Sequence, residues 1–262
     1  RFHACFAVVA AVTLAPCLMR GGRGPPPYPQ GVAVCGLMLL WHVAFASATL
    51  TARPSLHRLW RFVAVLSPFM VLPDWFLVTV LGALAFPEVD DGAWRIGGAV
   101  PVYMAGMWSI PLTCLLVDST HFLGAVRPCA RRSPRARSPV EGSSGCSETA
   151  LAEWPMAPSS LELLMVALSA LLVFGAAEQL VSVPLRLWRP TEKVVNTAGH
   201  VALYVLPAEA SLGAATLHAY RTTAGAAGWA GAARRVWAAL AVAVLYTGAL
   251  AVSYLVIEGY RV

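Results

Sequence analysis

The chain has 262 residues, of which 58% are hydrophobic and only 12% charged, with a mean hydropathy of +0.66. A soluble domain carries about twice that charged fraction, so the composition excludes an ordinary soluble protein and points to one integral membrane domain. The net charge of +6 falls in the connections between apolar runs, where it orients the chain against anionic lipid, so membrane lipid is the expected partner and nucleic acid is not.

Seven apolar runs, near 2–19, 31–50, 62–86, 98–118, 161–183, 197–219 and 236–257, predict an all-α integral membrane protein built as a seven-helix bundle. The first run is closed by Arg20. The chain opens at Arg1 rather than Met, which leaves room for an upstream targeting segment, so the membrane stays open between a bacterial inner membrane and that of an organelle such as a plastid. The loop RGGRGPPPYPQ (20–30) cannot be helical, because consecutive prolines remove donors and hold the backbone extended. The second run carries Trp41 and His42 at its centre, and the basic turn TARPSLHRLWR (51–61) suits a headgroup anchor.

The third run, Phe62 to Phe86, holds Asp74 directly after Pro73. An acid in the middle of a span costs roughly 2.5–3.5 kcal/mol on insertion scales, which makes it a functional-site candidate. An acidic turn with Glu88, Asp90 and Asp91 follows, then the fourth run with Tyr103, Met107 and Trp108 on one face and Asp118 and His121 at its end. Residues 127–160 are rich in Arg, Ser and Pro without periodicity and read as a flexible loop. Cys129 and Cys146 flank that loop and would pair only on an oxidising side. The fifth run has Glu178 and Gln179 near its far end, and the sixth contains HVALYVLPAEASLG with His200, Tyr204 and Glu209. With alternating sides, the N-terminus and the even connections carry twelve of the nineteen Lys and Arg. That places them on the cytoplasmic or stromal side.

Asp74 and Glu209 each follow a mid-helix proline, at 73 and 207, and by length both fall near the centre of a span. A proline leaves the carbonyl four residues earlier without its donor, so a kink beside a carboxylate marks a polar cavity. The matching strings VLPDWFL (71–77) and VLPAEASL (205–212), each after an LWR turn, suggest two three-helix repeats plus one extra helix, with the third helix equivalent to the sixth. The structural alternative for each carboxyl is an interhelical hydrogen bond. His42 is a further catalytic candidate, although a single intramembrane His also serves as a packing hydrogen-bonder. His200 and Tyr204, four apart, are expected to share a helix face near Glu209. The sequence contains no phosphate loop, nucleophile elbow, HExxH or cluster at metal-ligand spacing, so no metal and no cofactor are expected.

The string YVLPAEASLG (204–213) resembles the PxEE signature of the lycopene cyclases of the small multi-helix membrane type. Ala210 stands where that signature has its second glutamate, and the first-half counterpart reads LPDW, with Asp74 and Trp75. The resemblance covers two short motifs. It implies cofactor-independent proton chemistry on a hydrophobic isoprenoid or carotenoid-type substrate inside the membrane. Glu209, Asp74 and His42 would be the catalytic groups. Trp41, Trp75, Tyr103, Trp108, His200, Tyr204 and Glu178 would line the substrate. A transporter or proton-coupled carrier, or a non-enzymatic scaffold subunit, would use the same broken helices, and the oligomeric state stays open.

Overall fold

A chain this apolar can satisfy its backbone in lipid only within each segment, and its long Ala-, Leu- and Val-rich runs do so as helices. The structure is a computed structural model that describes residues 2–18, 29–87, 92–126 and 157–259. Among these, seven helical rods form an all-α bundle. α1 is Phe2–Leu18 and α2 is Gln30–Leu50. α3 starts as Pro54–Phe69 and continues through Val71–Phe76 into a π-helical turn at Leu77–Leu81. α4 comprises Met104–Met107 and Ser109–Val126. α5 is Ser160–Ala177, followed by a second π-helical turn at Glu178–Ser182 and a last turn at Val183–Leu185. α6 is Val205–Ala224 and α7 is Gly228–Ile257.

Four stretches, Gln30–Leu50, Pro54–Leu81, Ser160–Leu180 and Gly228–Ile257, are long and apolar enough to cross a membrane. Their outward side chains, such as Leu39 and Val43 on α2, Leu168 and Leu172 on α5, and Val252 and Val256 on α7, are exposed. Such a surface suits lipid rather than water. α6 packs between α5 and α7 with Ala208, Leu212, Thr216 and Leu217 buried. A Cβ on Gly213 would sit 2.8 Å from the Ala170 Cβ and 3.1 Å from the Val166 carbonyl oxygen, so glycine is what lets α6 lie directly on α5. An ion pair ties the same two helices where α5 begins and α6 ends. Arg221 donates two bonds to Glu162, at 2.9 and 3.0 Å, while Glu162 also accepts from the Ser159 backbone N–H and hydroxyl in a capping box.

Three pairs of two-residue strands cluster where α3 and α5 end. β2 (Arg95–Ile96) pairs with β3 (Val100–Pro101), and β5 (Thr197–Ala198) with β6 (Val201–Ala202). β1 (Leu84–Ala85) pairs antiparallel with β4 (Arg189–Pro190), joining the segments that follow α3 and α5. The two hairpins take residues expected to be helical. Gly97, Gly98 and Gly199 hold φ of +59°, +71° and +67°, a left-handed backbone that turns the chain and that glycine adopts without a Cβ clash. The helices therefore begin at Met104 and Val205 rather than near 98 and 197. The third helix differs in the opposite sense. It starts at Pro54, because Ser55 and Leu59 turn inward while Arg58 and Arg61 face out, giving the basic stretch an amphipathic register.

The repetition in the structure does not equate the third helix with the sixth. Both α3 and α5 end in a five-residue π-helical turn, both are followed by a residue with positive φ (Gly82 at 60°, Arg186 at 50°), and both lead into one strand of the β1–β4 pair. A hairpin then precedes Tyr103 and Tyr204, which stand in near-identical backbone conformations at the heads of α4 and α6. α3 thus corresponds to α5 and α4 to α6. The similar strings at 71 and 205 lie in non-equivalent helices. Glu88, Asp90, Asp91, Cys129 and Cys146 lie outside the described residues, as do the side chains of Asp118 and His121.

Candidate functional site

Between the two halves lies a cavity of about 670 Å³, within the range of small-ligand sites. Its polar groups are few. Asp74 comes from α3, Glu178 from the π-helical turn of α5 and Glu209 from the first turns of α6, and all three carboxyls line this one space. Asp74 and Glu209 are each 3% exposed. The Trp108 indole N–H donates to Asp74 Oδ2 at 3.0 Å, and the Trp188 indole N–H donates to Glu178 Oε1 at 3.3 Å. Glu209 is different. Its Oε2 is buried with no hydrogen-bond partner among the described residues, an arrangement that costs free energy in a merely structural group.

The geometry places the carboxyls at a different depth from the one expected. By the rise of a helix, Asp74 lies about 10 Å from the end of α3 at Leu81, and Glu209 about 6 Å from the start of α6 at Val205. The start of α6 at Val205, after the β5–β6 hairpin, brings Glu209 near the head of its rod, and the extent of α3 from Pro54 to Leu81, rather than 62 to 86, brings Asp74 toward the strand-bearing end of its own. There the cost of holding an acid in lipid is lower than at the midplane.

The cavity walls are aromatic and aliphatic. Trp108 meets Tyr246 edge-on at 5.9 Å between centroids and Phe174 at 5.6 Å, and Tyr204 meets Tyr254 edge-on at 5.2 Å. Trp108, Phe174, Tyr204 and Tyr246 all face the cavity. α1 supplies the opposite wall through His3, Phe6, Ala7, Ala10, Ala11 and Leu14. The lining also reaches Ala7, Ala11 and Leu180, which are exposed on the apolar exterior. The cavity is therefore open sideways toward lipid.

A second space of about 640 Å³ adjoins the first at the hairpin end and shares Glu178, Trp188, Pro190 and His200 with it. Its remaining walls are Ala85, Phe86, Pro87, Ser182, Arg186 and Arg189.

Asp74, Glu209, Glu178, Trp108, His200 and Tyr204 thus meet at one place. His200 and Tyr204 do so without sharing a helix face, since His200 sits in the turn of the β5–β6 hairpin and Tyr204 precedes α6. Trp41, His42, Trp75 and Tyr103 are not among the cavity-lining residues. Both nitrogens of His42 are engaged, Nε2 with the Gly106 carbonyl at 3.3 Å and Nδ1 with the Trp60 indole N–H at 3.3 Å, so it ties α2 to α3 and α4. Trp41 is fully buried against Phe45, ring on ring at 5.0 Å. Trp75 lies against Gly97 of the β2–β3 hairpin, and the Tyr103 hydroxyl reaches the Leu187 carbonyl at 3.5 Å. Trp188 and Tyr246 were not anticipated. Trp188 lies in the LWR connection between the fifth and sixth runs, outside any span, and nothing in the sequence around Tyr246 distinguishes it from a packing aromatic.

The family described as Domain of unknown function (DUF6989) matches residues 71–127 and 144–257, a range that contains all three carboxyls and both indole donors. No curated protein and no solved structure matches the chain.

Proposed function

The chain belongs to this family of unknown function, and from the cavity we propose an integral membrane enzyme that cyclises or rearranges an isoprenoid or polyene chain by cofactor-independent proton transfer. The observation that carries this reading is the convergence of three carboxyls on one apolar, aromatic-walled cavity, where Glu209 Oε2 is fully buried with no hydrogen-bond partner among the described residues. In the proposed reaction Glu209 protonates a carbon–carbon double bond. The resulting carbocation is attacked by a second double bond to form the new carbon–carbon bond, while the faces of Trp108, Phe174 and Tyr246 stabilise the charge. Loss of a proton from the neighbouring carbon to Asp74 or Glu178 restores a double bond. Substrate and product are isomers, and proton return to Glu209 completes the cycle without an oxidant or reductant. The two carboxyls that accept indole N–H bonds suit the base, because a hydrogen bond to a carboxylate is strongest when the acceptor is charged.

The resemblance to the membrane lycopene cyclases supports the same chemistry, and the sideways opening suits a substrate dissolved in lipid. A bacterial inner membrane or a plastid-type organelle membrane would supply such a substrate. The test is expression in lycopene- and squalene-accumulating bacteria followed by pigment and lipid extraction. A new product should form with the wild-type chain and vanish with Glu209→Gln at equal protein level. Unchanged product with Glu209→Gln removes the proposal. The space shared with the polar vestibule favours a second reading, a proton-coupled carrier. That reading predicts proton-linked flux of an unaltered solute in proteoliposomes.

A further inference from the structure

The vestibule is basic at its mouth. Arg186, Arg189 and His200 are exposed there, over a floor of Glu178, Trp188 and Ser182. Neither arginine pairs with a carboxylate among the described residues. Arg186 is also the single non-glycine residue with positive φ among the described residues, at 50°. Its counterpart in the other half, Gly82, holds φ +60° as a glycine. A side chain at a left-handed position carries a backbone cost that glycine would remove, so a guanidinium kept there is held for what it faces. It lines a space whose polar groups are Glu178, Ser182, Arg189 and His200, and which runs into the larger cavity through Glu178, Trp188, Pro190 and His200.

We propose that the ligand of this site is an amphiphile, an isoprenoid-type apolar tail in the carboxyl-lined cavity carrying an anionic head, phosphate or carboxylate, held in the vestibule by Arg186 and Arg189. This deepens the enzymatic reading by giving its substrate a charged end, and it rests on that reading only for the nature of the tail. Guanidinium forks match either anion. Glu178 and its Trp188 donor form the boundary between the two spaces, so the head stays on the hairpin side while the chain reaches Asp74 and Glu209.

The test is binding of farnesyl phosphate, farnesoic acid and farnesol to the full chain in phosphatidylcholine nanodiscs, with inorganic phosphate as competitor. Either anion should bind about tenfold more tightly than the alcohol, and the preference should shrink as salt rises. Inorganic phosphate alone should not compete at equal concentration. Arg186→Gly should lose the preference while the melting temperature stays equal or rises, because the left-handed backbone is relieved, and Arg189→Gln should lose it without unfolding. Equal binding of alcohol and anions, an unaltered preference in both arginine variants, or competition by inorganic phosphate at equal concentration overturns the proposal. The measurement is repeated with Glu209→Gln, which should keep the head preference. A lost reaction with a retained preference then separates the chemistry of the cavity from recognition in the vestibule.

Discussion

Glu209 is distinguished from Asp74 and Glu178 by what does not touch it. Two carboxyls are each held by an indole donor, while Glu209 Oε2 is buried with no partner among the described residues. A group in that state adds little to folding, and removing a buried unsatisfied oxygen is neutral or stabilising. Glu209→Leu is therefore expected to leave the melting temperature unchanged or higher, and Glu209→Gln to lower the rate of product formation by at least about 10²-fold. Differential scanning fluorimetry in detergent beside product extraction reads both. A large loss of stability in Glu209→Leu would show a structural role instead. The carboxyls themselves were legible in the sequence, since an acid in an apolar run needs no structure to be noticed. Their donors were not. Whether Trp108 or Trp75 meets Asp74 depends on helix rotation and on the hairpin between α3 and α4, which no local pattern of residues gives.

At the scale of elements, α5 and α6 are joined twice, by close packing at Gly213 and by the Arg221–Glu162 pair. Both partners of the pair are almost wholly buried, with side chains 2% and 3% exposed. Breaking such a pair leaves one charge uncompensated, so Arg221→Met should cost about 3–5 kcal/mol, and replacing both residues by apolar ones should recover much of that. Chemical unfolding of the single and double variants is the check, and equal loss in both would rule out the pair as its cause. The helical rods were largely legible because apolar runs of span length have few alternatives in lipid. The hairpins were not, because Gly98 and Gly199 stand at the heads of apolar runs and read as the first turn of a helix. Counting them as helix also hid the equivalence of α3 with α5, which rests on π-helical turns and positive-φ residues rather than on matching letters.

For the whole molecule, the ends of the rods sort into two faces. The turns at 51–53 and 225–227 lie on one, and the three strand pairs with Arg186 and Arg189 lie on the other. From the excess of basic residues the first face is expected on the cytoplasmic or stromal side. Single cysteines introduced as Arg189→Cys and Gly225→Cys should react with an impermeant maleimide from opposite sides of sealed vesicles, the Gly225 site from the cytoplasmic or stromal side. Labelling of both from one side would contradict the bundle.

The first helix has another consequence. Ala7, Ala10 and Ala11 give the cavity its wall opposite the aromatic side chains, so the space there exists only because these side chains stop at a methyl group. None of them carries chemistry. They act as a ruler, and the length of chain the protein accepts is adjustable from a surface that never meets a proton. Ala10→Leu should shift preference toward shorter or less branched chains while leaving the per-molecule rate on an accepted chain unchanged, read by competition between chains of different length.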